Sequence, residues 1–224
     1  MKTTIWRMNH YEHRSLCGLV AGLIPQLMWR HNGLGLLQAY VYEGTTDEMR
    51  VHVWCKELER AGIQDSGLLH DHRFDLTSQI LFGEIEQVEF SLSADQDGIW
   101  QLHEVVHARA AAGNKHAPND GLVTTLPGLY SVERSSVALS ARDAYAFPKR
   151  AFHGTFVKSE YAVTVMTKTH QDETPARILA PYWTPVVHAF ADPLPEAEWR
   201  HHLDAAARRL QACALGLWSG EGER

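Results

Sequence analysis

The stretch SGLLHDHRFDLTSQILFGEIEQ, residues 66–87, carries two histidines two positions apart, His70 and His72, and a glycine, Gly83, eleven residues after the second. Alternate residues of a β-strand share a face, so the two imidazoles would project together. Imidazoles at that spacing can hold one metal ion in cis, but a useful site needs at least a third ligand. The chain contains 14 histidines, so an isolated pair has little weight until further pattern joins it.

The surrounding texture is that of short strands. LLQAYVYEG, MRVHVWCKEL, TSQILFGEIEQVEFSL, GIWQLHEVVHARA, GLVTTLPGLYSV, SSVALS, AFHGTFVKS and YAVTVMTKT are β-rich runs punctuated by Gly, Asn, Asp or Pro. Strands in succession without helices between them predict an antiparallel sandwich or barrel rather than alternating parallel units. AAAGNKHAPNDG, residues 110–121, reads as a surface loop. The two ends differ. In RSLCGLVAGLIPQLMWR, residues 14–30, apolar Leu16, Leu19, Val20, Ile24 and Leu27 lie close to a helical stripe that Pro25 would break. Over 196–217, Trp199, Leu203, Ala206, Leu210, Cys213 and Leu217 alternate at steps of four and three, one apolar face of a helix. That face either packs on the barrel or forms a homodimer seam. The expected organisation is one domain over 1–224: a helical segment at 1–35, a β-barrel at 36–190 and a C-terminal helix at 194–218.

An apolar fraction of 45% and a charged fraction of 21% belong to a soluble globular chain. A net charge of −6 without a basic tract argues against nucleic acid or an anionic membrane as the main partner. MKTTIWRMNHYEHRS lacks a continuous apolar core, and no run of 18 apolar residues occurs, so a cytoplasmic protein is expected. Cys17, Cys55 and Cys213 are an odd, widely spaced set without CxxC, which argues against a disulfide framework or a Cys-based zinc site.

The HxH stretch, with Gly83 after it, resembles the first motif of the cupin superfamily. The second motif of that family has Pro-x-Gly followed three residues later by His. In AYAFPKRAFHGTF, Pro148 and His153 stand at that spacing, and the order of the two motifs is also right. The likeness otherwise spans the strand-rich region of about 36–180. Three positions depart from it: Leu76 or Thr77 stands where the motif Glu belongs, Arg150 replaces the second Gly, and Val157 replaces its Asn. The resemblance implies an all-β fold, a cupin-type antiparallel barrel (double-stranded β-helix, or jelly roll) with N- and C-terminal helices. Without the Glu, it also implies a mononuclear centre of His70, His72 and His153, in the manner of three-histidine cupins such as thiol and diketone-cleaving dioxygenases. Fe(II) is the ion most often found there, although imidazole equally suits Zn, Ni, Mn and Cu. The implied partners are a small organic acid or thiol and O2. A neutral ligand set favours an anionic substrate donor.

Other residues are weighed beside this. Arg50, His52 and Trp54 alternate in RVHVWC and share one strand face: either they line the barrel, or they are solvated and Val51, Val53 and Cys55 form the core. Arg50, Trp54 and Arg73 are candidates for substrate binding, although strand parity turns Arg73 away from the histidines. His52 and Tyr145 are candidates for catalytic proton transfer, and Tyr161 also flanks His153. Asp75 and Gln79 have the wrong parity for ligation. The Ser-x-His-x-Tyr pattern of thiol dioxygenases has no counterpart in TVMTKTHQDE, although His170 is present. Finally, HEVVH at 103–107 spells the HExxH of zinc hydrolases with His103, Glu104 and His107, a reading that requires a helix. A non-catalytic cupin that binds a metal or small ligand, and a metal-free sugar isomerase or epimerase, are the remaining alternatives.

Overall fold

The computed structural model describes residues 3–32, 35–44, 47–58, 69–106, 122–184, 186 and 196–217. The expected surface loop at 110–121 and the HExxH residue His107 lie outside these. The chain runs β1 (Thr4–Arg7), α1 (His10–Leu23), a 3-10 turn (Ile24–Gln26), β2 (Trp29–Asn32), β3 (Leu36–Glu43), β4 (Glu48–Cys55), β5 (Asp75–Phe82), β6 (Glu84–Ala94) and β7 (Trp100–Val106). It continues as β8 (Leu122–Thr125), β9 (Tyr130–Ser140), β10 (Asp143–Phe147), β11 (Phe152–Val157), β12 (Tyr161–Thr169), β13 (Ala176–Pro181) and α2 (Glu196–Leu215).

The strands pair into a seven-stranded sheet ordered β1-β10-β5-β12-β4-β3-β2 and a second sheet ordered β11-β6-β9-β7-β13, with β8 on β7; every pairing is antiparallel. Isolated bridges from His70 to both His153 and Ile178 insert the 69–71 segment between β11 and β13. The expected cupin-type barrel with helices at both ends is therefore the observed fold. The expected N-terminal helical segment needs correction: TIWR and WRHN are short strands on either side of α1. The helix begins at an Asn9 capping box and ends where Pro25 opens the 3-10 turn. HEVV, residues 103–106, lies in strand β7, so the helix that an HExxH site needs does not form there.

Both faces of the seven-stranded sheet are buried. Outward-facing Val51, Val53 and Cys55 of β4, with Leu37, Val163 and Val165, pack under α1 and α2 through Val20, Trp199, Leu203, Ala206 and Leu210. Inward-facing Trp54, Leu76, Ile80, Tyr145, Phe147, Ala162 and Met166 meet Ile85, Leu139 and Val157 of the other sheet. The two alternatives for β4 are thus both realised: the odd residues are core against the helices, and the even residues line the barrel. The C-terminal stripe packs as expected up to Cys213, whereas Leu217 lies past the helix end and is exposed.

Gly83 makes the β5–β6 turn with φ +78°, and a Cβ placed there would sit 2.0 Å from the Tyr161 carbonyl oxygen. Neither the backbone angle nor the space tolerates a side chain. Gly83→Ala should cost at least about 2 kcal/mol, read as a lowered urea midpoint at unchanged m-value; an unaltered midpoint would contradict this.

Candidate metal centre

The three histidines converge. Ring centroids are 4.8 Å apart for His70 and His72, 4.9 Å for His70 and His153, and 4.9 Å for His72 and His153. One ring nitrogen from each lies within 4.8 Å of those of the others, and no carboxylate or thiol joins this group among the described residues. Backbone pairing sets the arrangement: His70 N donates to the His153 carbonyl at 3.1 Å and His153 N to that of His70 at 3.0 Å, while Arg150 N donates to the His72 carbonyl at 2.8 Å.

Alternation along 70–72 turns Asp71 to the opposite face. There it is fully buried, accepting Arg177 N at 2.7 Å and Arg177 Nε at 2.7 Å, with Nη2 also at 2.7 Å. The Arg177 guanidinium in turn lies 4.9 Å over the ring of Phe152, the residue before His153. Burial pushes the Asp71 carboxyl above its ordinary value, and Arg177 pulls against that. Arg150, standing where the family motif has glycine, takes φ 70°. The backbone keeps the glycine-like conformation, and the Arg150 guanidinium reaches Asp172 and the Thr174 carbonyl at 2.8 Å each.

The imidazoles are also fixed as rings. His153 Nδ1 lies 3.0 Å from the Ala151 carbonyl, which requires that nitrogen to carry the proton and leaves Nε2 as the lone-pair donor. Phe147 stacks on His153 at 4.7 Å, and Phe74 stacks on His72 at 4.6 Å. His72 is pushed well below the usual histidine range, first by burial and then by His70 and His153; His153 is pushed down to about 3 by burial and His70. Neutral, oriented, desolvated imidazoles are the form that binds a metal, so the donor set fits a divalent transition ion.

The opposite wall comes from β4 and its neighbours. Register places Gln38, His52 and Thr164 in one row, and Tyr40, Arg50 and Met166 in the next. His52 Nε2 is buried without a hydrogen-bond partner, and burial followed by Arg50 pushes its ring down to about 3. Both Arg50 and His52 act electrostatically on His72. Trp54 donates to Thr164 Oγ1 at 3.1 Å and forms part of the apolar end. Glu48 and Lys168, which sequence reasoning did not single out, form a buried charged cluster with Arg50: Lys168 Nζ donates to Glu48 Oε1 at 2.6 Å and Arg50 Nε to Glu48 Oε2 at 3.0 Å. Burial would raise the Glu48 carboxyl, but the two cations hold it below its ordinary value, while burial lowers Lys168 against the pull of Glu48.

The remaining candidates fall as follows. Tyr145 lies inside the barrel, but its hydroxyl is engaged by Ser78 and Thr155, and burial raises it. Arg73 is half-buried; its carbonyl accepts Asp172 N at 2.9 Å and its charge is felt by Lys168. Asp75 faces outward, accepting Lys149 N at 2.8 Å and lying 3.2 Å from exposed His170. Gln79 lines an outer groove beside Trp6 and Leu16. Tyr161 is on the outer face, against His202. The structure therefore brings His70, His72, His153, Arg50 and His52 together, and leaves Asp75, Gln79, Tyr161 and His170 outside the centre.

No family model and no curated protein matches the chain. Solved structures do. An RmlC-like cupin from Shewanella frigidimarina is 14% identical with a TM-score of 0.33, covering 66% of this chain and 88% of its own. KdgF from Halomonas sp. is 14% identical with a TM-score of 0.36, covering 66% and 92%. The DMSP lyase DddQ from Ruegeria pomeroyi is 12% identical with a TM-score of 0.36, covering 77% and 81%. No helix among the described residues is long and apolar enough to cross a membrane.

Two outcomes are expected. Asp71→Ala strips the Arg177 guanidinium and amide of their acceptor and should destabilise the protein by about 2–4 kcal/mol, with weakened metal retention; an unchanged denaturation midpoint would contradict the pairing described. His52 and His153 bind a proton near about 6.5 when unfolded but only near about 3 when folded. Between those values the unfolded chain holds more protons, so stability rises with pH and is lost as pH falls. The urea midpoint of chelator-treated protein should drop on acidification from about pH 6.5, and His52→Gln should flatten part of that slope; a pH-independent midpoint would contradict it.

Proposed function

We propose that this cupin holds one divalent ion through His70, His72 and His153 and acts as a non-haem Fe(II) dioxygenase on a small anionic organic acid or thiol, with O2 as co-substrate. The donor set carries the reading: three imidazoles converge with no carboxylate among them. When bound, an ion with neutral ligands retains its dipositive charge and supplies open positions for an anionic donor and O2 together. The preference for Fe(II) over Zn, Ni, Mn or Cu rests on the family resemblance.

The chain's own residues prepare the pocket. Arg50 and Lys168 exceed Glu48 by one positive charge, which attracts an anion and holds it beside the histidines. Lys168 satisfies Glu48 from one side, so Arg50 can turn its fork toward a carboxylate without stranding Glu48. Phe74, Phe147 and Trp54 exclude water around these polar groups. His52 acts as a neutral hydrogen-bonding group rather than a base, because burial and Arg50 leave it too acidic to hold a proton near neutrality. A non-catalytic ligand-binding role is the second reading. It is favoured by Tyr145, whose hydroxyl is committed to Ser78 and Thr155 rather than poised for proton transfer.

Metal content and oxygen uptake test the proposal. His153→Ala should lower metal affinity at least tenfold, whereas His103→Ala should not; the opposite pattern sinks the assignment. With Fe(II), a panel of thiols and enolisable acids should include one that consumes O2. Arg50→Ala should weaken apparent binding of that compound by about 1.5–3 kcal/mol. Ligand binding without O2 consumption would favour the second reading.

A further inference from the structure

A second group of metal-ligating side chains lies on the other face of β4. Cys55, at the strand's end, Glu57, two residues on, and His202 of α2 each place a donor atom within 4.8 Å of those of the other two. Cys55 follows the outward parity of Val51 and Val53 and is therefore separated from the barrel histidines by the sheet itself. Cys55 and His202 are each 2% exposed, whereas Glu57 is open to solvent, which provides a route of entry.

The imidazole is oriented as a ligand would be. His202 Nδ1 lies 2.8 Å from the Tyr161 hydroxyl, and Nε2 faces Glu57 Oε2 at 3.7 Å. With the proton on Nδ1, donated to the Tyr161 oxygen, the Nε2 lone pair points at the carboxylate, the arrangement by which a neighbouring acceptor fixes a metal-binding tautomer. The nearest guanidinium, Arg209, is already engaged, 4.4 Å over the Tyr161 ring and 3.1 Å from Glu160. Burial, and then His201, keeps His202 neutral.

We propose that Cys55, Glu57 and His202 form a second metal site, of zinc type, that clips helix α2 to the end of β4. A thiolate, an imidazole and a carboxylate suit zinc and exclude magnesium and calcium, and three protein ligands leave a fourth tetrahedral position to water. Binding forms one metal–sulfur, one metal–nitrogen and one metal–oxygen bond and releases one proton, from the Cys55 thiol, to solvent. No electron is transferred. The site does not depend on the reading of the barrel centre, which contains no sulfur.

That difference supplies the test. Co(II) added to the full-length protein should give a thiolate-to-cobalt charge-transfer absorption in the near ultraviolet, which the barrel histidines cannot produce. The absorption should vanish in Cys55→Ser and persist in Cys17→Ser and Cys213→Ser. Zn(II) should displace it and raise the melting temperature of the wild type. Glu57→Gln alters a solvent-exposed side chain and so spares the fold, and should weaken binding by roughly tenfold or more. Absence of the absorption in the wild type, its survival in Cys55→Ser, or unaltered affinity in Glu57→Gln would overturn the proposal.

Discussion

The buried contact between Asp71 and Arg177 holds the centre of this molecule in place. A strand turns neighbouring residues to opposite faces, so His70 and His72 can share the barrel interior only if the residue between them is accommodated behind the sheet. A carboxylate in that position would be unacceptable without partners. Arg177 supplies its guanidinium and its own amide, and Phe152 packs beneath the guanidinium. The same contact joins β13 and the 69–71 segment, with β11 on the other side, so the strands bearing the ligands are tied together on the face away from them.

Barrel chemistry and barrel packing are divided by the seven-stranded sheet. The apolar core against the helices is built from outward residues of β3, β4, β5 and β12, and requires nothing of the inward ones. That freedom lets the interior carry Glu48, Arg50 and Lys168, three charges that would be expensive singly and are tolerable as a cluster. The histidines opposite them stay neutral because burial and mutual repulsion both disfavour protonation. Cationic groups on one wall and neutral donors on the other give the cavity its polarity.

Much of this could be read from the chain. The HxH with Gly83, and Pro148 with His153, mark the ligand-bearing segments because each serves a short local geometry whose spacing survives in sequence. Alternation in RVHVWC disclosed the face shared by Arg50, His52 and Trp54. Arg150 obscured the second motif, since its left-handed backbone is rescued by side-chain bonds that no local pattern reveals. Glu48 and Lys168 were missed because charged residues usually lie at the surface, and their partnership spans 120 positions. Cys55 and His202 were invisible together for the same reason, and the cysteine count alone pointed away from a thiolate site. TIWR and WRHN escaped notice because four-residue strands are too short to show a period.

A strand buried on both sides has a consequence for how such a protein can change. In β4 the even residues answer to the cavity and the odd ones to the helices, with the backbone as partition. Variation at 50, 52 and 54 can alter what the cavity accepts while the lamina of helices and sheet keeps its contacts. Variation at 51 and 53 can be compensated from α1 and α2 without disturbing the histidines. One strand thus carries two interleaved texts, each open to revision while the other is left standing.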